Sequence, residues 1–112
     1  MDPNPLAKLE PELRRGVLVL AVLSQLRGVQ YGYSLRQALA QRGMPIEEGT
    51  LYPLLRRLEA QGLLASEWRV EDGPPRRYYR LNDAGEALLA ELTAVWHAQV
   101  ATMAGLLQGD PA

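Results

Sequence analysis

The chain has 112 residues, a net charge of −1, 47% apolar residues and 22% charged residues, which fits one globular domain with a single core that buries roughly 60–70% of the unfolded surface. It has no cysteine and one histidine, His97, so disulfides, thiol catalysis, thiolate zinc sites and any site needing two imidazoles of one chain are excluded. No apolar run reaches the ~18–20 residues of a membrane span, and the start lacks a secretory layout, so a soluble, cytoplasmic protein is expected.

Residues 1–10 hold two prolines and no periodicity and read as a flexible arm. Pro11 and Glu12 then suit a first helical turn. Leu13, Val17, Leu20, Leu23 and Leu26 follow at helical spacing, widened by Val19, Ala21 and Val22, so this first helix is expected to be well buried. It ends near Arg27 and Gly28. Tyr31-Gly32-Tyr33 precedes a short second helix with Leu35, Ala38 and Leu39 on one face and Gly43 as its stop. Glu47 and Glu48 suit the positive end of a third helix. Leu51, Leu54, Leu55 and Leu58 form its apolar face, and Pro53 is expected in its first turn if the helix starts near Gly49. Gly62 ends it.

Leu64 to Val70 and Arg76 to Leu81 read as two strands joined by Glu71-Asp72-Gly73-Pro74-Pro75, which is turn chemistry. Asn82 or Asp83 can cap a last helix. Its stripe comprises Leu88, Leu92, Val95, Trp96, Val100, Met103 and Leu107. The order is three helices, a β-hairpin and a long helix. That predicts a mainly α fold with a β-hairpin, a winged helix-turn-helix at 11–82, a C-terminal helix at 83–108 and a tail at 109–112. A lone hairpin is marginal in water, so this one must pack on the helices.

The charge is unevenly spread. Residues 49–81 carry six arginines and four acids, whereas residues 82–112 carry four acids and no base. Burying the leucines of the third helix turns Thr50, Tyr52, Pro53, Arg56 and Arg57 outward. A helix in a major groove uses its early residues on base edges and its arginines on guanine or phosphate. The competing reading is a solvated face. After the turn, strand alternation separates Arg76, Tyr78 and Arg80 from Arg77 and Tyr79. One tyrosine should pack inward while the other stays available to phosphate. Hairpin arginines reach phosphates or a narrow minor groove. Together the helix and hairpin favour double-stranded DNA as partner. No nucleophile–base pair or metal constellation is present, and no cofactor is expected. Adjacent Glu47 and Glu48 do not face one another on a helix.

The stretch Gly49-Thr50-Leu51-Tyr52-Pro53-Leu54-Leu55-Arg56-Arg57-Leu58-Glu59, with Gly62-Leu63, the run from Gly73 to Leu81, and Gly85, resembles the PadR family of bacterial transcriptional regulators. Tyr31-Gly32-Tyr33 is similar to the family's motif at the opening of the second helix. The resemblance spans about residues 13 to 108. It implies a winged-helix domain, repression at an operator and a C-terminal dimerisation helix, and the short tail matches the subfamily with a single such helix. Some members of that subfamily sense planar hydrophobic molecules between paired tryptophans at the dimer centre, and Trp96 stands in a matching place. The two prolines of the wing tip and the Asn82-Asp83 start depart modestly from the family pattern.

The last helix carries its own argument. Its stripe runs some 20 residues, or ~30 Å, more than a monomer of this size covers. The remainder invites a second copy in a two-fold contact, made by Leu88, Leu92, Val95, Trp96, Val100, Met103 and Leu107. Two recognition helices would then sit about one DNA turn apart, ~34 Å, over a near-palindromic operator. A flat ligand site would be lined by Trp96, Leu92, Val95 and Val100. The rival function is a winged-helix module that binds protein and not DNA, since a fold does not fix its function.

Overall fold

The computed structural model describes residues 4–109. Its elements are α1 (Pro5–Gln25), β1 (Gln30–Tyr31), α2 (Gly32–Gln41), α3 (Glu48–Ala60), β2 (Leu64–Arg69), β3 (Arg76–Leu81) and α4 (Asp83–Leu107). This is the expected winged-helix order, with one strand added. Residues 1–3 of the expected arm and 110–112 of the expected tail lie outside the described residues.

The first helix starts earlier than its periodicity suggests. Residues 5–10, expected as an arm, are helical. The Asn4 side chain accepts a hydrogen bond from the Leu6 amide at 3.1 Å, and Pro5 follows where its missing N–H costs nothing. Pro11 therefore lies inside the helix and removes one bond. The helix is also less buried than expected. Only Val22 and Leu23 within it are buried, together with Leu26 at its end, whereas Leu6, Leu9 and Leu13 face solvent, Leu13 at 80% exposure.

The helix-turn-helix angle is fixed by side chains. Arg36 of α2 donates from Nε to the Ile46 carbonyl at 3.2 Å and pairs with Glu48 at 3.0 Å. Gly32 opens α2 because nothing larger fits: a Cβ there would lie 2.1 Å from the Tyr52 hydroxyl. Gly43 ends the connection after α2 with φ at 86°, a region open to glycine at little cost. Since α3 begins at Glu48, Pro53 falls in its second turn and not its first, leaving one carbonyl to solvent.

The sheet has order β1-β3-β2, antiparallel throughout. The two-residue β1 had no signal in the sequence pattern, being too short for alternation to show. It pairs Gln30 with Tyr79 and Tyr31 with Tyr78. The Leu81 amide donates to the Leu26 carbonyl at 2.8 Å, tying the end of α1 to the base of the hairpin. Leu64, Tyr79 and Leu81 enter the core with the leucines of α2 and α3.

The last helix is capped by Asn82, whose side chain accepts from the Gly85 amide at 2.8 Å and donates to the Gly62 carbonyl at 2.8 Å. Gly85 crosses the β2 entrance so closely that a Cβ would sit 2.2 Å from the Leu63 carbonyl oxygen. Leu89 is buried in the core, and Leu88 and Leu92 pack at its edge. From Val95 onward the apolar side chains are exposed. The radius of gyration, 16.9 Å, exceeds the ~13 Å of a compact chain this long. The two long helices thus project beyond the core.

Candidate nucleic-acid interface

The third helix stands as a ridge between two clefts. Its core face is as expected: Leu51, Leu54, Leu55 and Leu58 are all buried. Thr50, Pro53, Arg56 and Arg57 are exposed. Toward the hairpin lies a cleft of about 550 Å³ lined by Tyr52, Arg56, Glu59, Trp68, Arg76 and Arg77, among others. Toward α1 lies a groove of about 620 Å³ that includes Arg14, Arg15, Thr50, Pro53 and Arg57. Arg14 is held by Glu10 one turn earlier on α1. Arg56, Arg57 and Arg76 have no ion pair among the described residues.

Two expected contact residues are placed differently. Tyr52 does not point outward. It is half-buried against the core, with its hydroxyl over Gly32, because α2 starts with a residue that leaves room for the ring. Arg77 shares the inner face of β3 with Tyr79, as alternation requires. Its Nη2 donates to both Glu59 carboxylate oxygens, at 3.2 and 3.1 Å. The guanidinium also lies 5.6 Å from the Trp68 ring centre and 5.8 Å from that of Tyr79. The Ser66 hydroxyl donates to the same Glu59 carboxylate. The Ser66 bond is the largest influence and holds the Glu59 carboxyl below its ordinary range; burial opposes it, and the Arg77 bond and charge add to the lowering. Burial in turn pushes the Tyr79 phenol up, consistent with a core role for that tyrosine.

The outer face of the sheet is an aromatic–arginine layer. Tyr78 meets Tyr31 edge-on at 5.3 Å between ring centres, and Tyr31 stacks with Tyr33 at 6.5 Å. Arg69 lies 4.5 Å over Tyr78, and Arg76 lies 4.7 Å over Tyr31. Tyr78 is thus half-buried in this layer, while Arg76 keeps its charge exposed at the mouth of the hairpin cleft. The wing tip itself carries Glu71 and Asp72, so a positive surface begins at Arg76.

The sequence reading missed Glu59, Trp68 and the flanking arginines of α1. Position three after Arg56 is the signal that puts Glu59 on the hairpin side of α3. Trp96, Val95, Val100, Met103 and Leu107 are exposed along α4, whereas Leu88 and Leu92 are half-buried by the chain's own core. Among the described residues no group of acids and histidine is placed to hold a metal, and no helix is long and apolar enough to cross a membrane.

Comparison with known proteins agrees with this geometry. The model of the transcriptional regulator PadR-like family matches residues 19–91. A transcriptional regulator of Mycobacterium tuberculosis is 54% identical over 61 residues, a match covering 54% of this chain and 57% of that protein. A PadR family transcriptional regulator from Eggerthella lenta superposes with a TM-score of 0.86 at 53% identity, over 91% of each chain. A PadR-like regulator from Bacillus cereus follows at a TM-score of 0.77 and 32% identity, over 88% of this chain and 99% of that one. The family is one of regulators and not of enzymes, and the chain belongs to it: this is a PadR-like transcriptional regulator.

Proposed function

We propose that the chain binds double-stranded DNA as a homodimer, inserts α3 into the major groove and lays the hairpin along the adjacent backbone. The observation that carries this reading is the placement of Arg56 and Arg76, from two elements, on one cleft, with Arg57 beside Thr50 and Pro53 on the other flank of the same helix. Three cations without ion pairs among the described residues, set around an exposed ridge, match what a phosphate-lined groove needs. Tyr78 supports Arg76 through the outer aromatic layer. The acidic tip leaves the phosphate contact to the strand behind it.

The exposed stripe Val95, Trp96, Val100, Met103 and Leu107 supports the second copy, with Leu88 and Leu92 at its inner end. A two-fold contact there joins two recognition helices at a fixed spacing over a near-palindromic operator. The Trp96 side chains of both copies, with Leu92, Val95 and Val100, offer a flat apolar site. A planar hydrophobic ligand releases DNA only if it prefers a spacing that DNA does not. Repression is the outcome that the family relation favours, in the cytoplasm, where the operator lies.

Gel-shift titration with the DNA upstream of its own coding sequence, over a salt series and with sedimentation in parallel, tests this reading. Tight, salt-dependent binding by a dimer is expected. Binding insensitive to salt, or absent from any duplex of a random library, would leave the protein-interaction module as the better reading. Trp96→Ala should weaken binding of a planar aromatic dye more than binding of the operator.

A further inference from the structure

Arg76 and Arg77 are neighbours in sequence and opposites in space. Arg76 faces out and carries no ion pair among the described residues. Arg77 turns inward, where an acid from the recognition helix holds it. We infer that Glu59 is a positioning residue, which with Ser66 and Arg77 clasps the hairpin to α3 at the angle DNA requires, and that Arg77 is the strut of that clasp and not a phosphate contact. The inference rests on the DNA-binding reading above.

The geometry argues for a clasp. Glu59 sits in the last turn of α3 and one carboxylate takes bonds from both hairpin strands, Ser66 on β2 and Arg77 on β3. The Trp68 and Tyr79 rings flank the same guanidinium, so Arg77 is restrained from several sides. The base of the hairpin is anchored by Leu64, Tyr79 and Leu81 in the core. Its outer half has no such anchor, since Trp68 and Val70 are 63% and 71% exposed. The Glu59 contacts stand at the boundary between the two halves, where a small rotation swings the tip furthest.

Electrostatics sharpen the point. An acid on a surface that meets phosphate repels it, so Glu59 opposes binding unless its geometry compensates. The side chains of the pair are 37% and 30% exposed, and water screens a pair of that kind, so its contribution to overall stability is small. Its effect belongs to orientation. The Ser66 bond and the Arg77 guanidinium favour the charged form of Glu59.

The test uses Glu59→Gln, Arg77→Gln, the double variant and Glu59→Asp in the full chain, on a duplex the wild type selects from a random library. Each Gln variant is expected to bind about fivefold more weakly, and the double no more weakly than the worse single, because both remove one coupled contact. Glu59→Asp, which keeps the charge, should recover part of the loss. Arg77→Gln should leave the salt slope unchanged, whereas Arg76→Gln lowers it by about two in a dimer, at ~0.9 per phosphate. The emission of Trp68 should shift in Glu59→Gln, while Trp96 is remote on α4. Glu59→Gln binding as tightly as wild type or more so, additive losses, or an Arg77→Gln slope change equal to that of Arg76→Gln would each overturn the clasp. A Glu59→Asp variant no better than Glu59→Gln would do so too. A wild type that selects no duplex overturns the DNA-binding reading and the clasp with it.

Discussion

Replacing Arg56 with alanine should change how affinity depends on salt more than it changes the fold. Arg56 is exposed on α3 and lines the hairpin cleft. Its side chain makes no hydrogen bond among the described residues, so its loss leaves helix and core intact. In the proposed dimer, three exposed arginines per chain without ion pairs among the described residues give a logarithmic salt slope of about −5, at ~0.9 per neutralised phosphate. A rise from about 50 to about 200 mM salt then lowers wild-type affinity roughly 10³-fold. Arg56→Ala removes two of the six contacts and should flatten the slope to about −3.5. The variant therefore loses most affinity at low salt and approaches wild type at high salt. Fluorescence anisotropy of a labelled operator over five or six salt concentrations measures both slopes. A wild-type slope near zero would refute the phosphate-facing assignment of the whole cleft. A normal wild-type slope that Arg56→Ala leaves unchanged would move Arg56 off the interface and leave Arg57 and Arg76 as the contacts.

Three further outcomes are expected. Gly85→Ala should destabilise the fold by ~1–3 kcal/mol, because its Cβ meets a backbone oxygen at 2.2 Å that has no rotamer to move to; calorimetry should show melting lower by about 4–20 °C, and unchanged melting means α4 can shift at its start. Val100→Glu should give a monomer in sedimentation with weak operator affinity, since it places a charge in the middle of the exposed α4 stripe; a dimer that survives this change uses another surface. Glu59 has a lowered folded-state pKa, so its clasp is complete above the ordinary carboxylate range and is lost as pH falls through the folded value. Trp68 emission should follow that acid transition in the wild type and lose it in Glu59→Gln.

The parts of the fold legible in the sequence are those whose determinants lie within a few residues of each other. The leucine spacing of α3, the Gly73-Pro74-Pro75 turn and the Asn82-Asp83 pair as a cap each identify an element without knowledge of its partner. Alternation puts Tyr78 and Tyr79 on opposite faces, and packing against the core decides that Tyr79 is the inward one. The misreadings share a cause. Helical angle turns Tyr52 outward, but its position depends on Gly32, twenty residues away and on another helix. Alternation separates Arg77 from Arg76 but does not show what the inner arginine meets, and those partners come from α3 and β2. The strand β1 is set by pairing with β3, and two residues hold too little pattern to show it. Pro11 reads as a first-turn proline and so masks the start of α1, which the structure places at the Asn4 cap with Pro5 in the first turn.

The burial of α1 shows why an apolar face does not by itself say what covers it. Leu13 continues the same stripe as Leu23, yet one is 80% exposed and the other fully buried. The spacing records a shared apolar face and does not record which part of that face the fold covers. Within one chain, the core ends near Val19 on α1 and near Leu92 on α4. Beyond those points α4 keeps an exposed apolar stripe while α1 mixes Leu6, Leu9 and Leu13 with charged residues, and both helices extend past the core. Under the proposed dimer the exposed α4 stripe has a second task besides association. It is rigidly continuous with Leu89, which is seated in the core that carries α3. A change in how two α4 helices cross is therefore transmitted to the spacing of the two recognition helices with no flexible joint between. A ligand wedged between the Trp96 side chains would act on DNA through that connection, at a distance from every arginine that touches it.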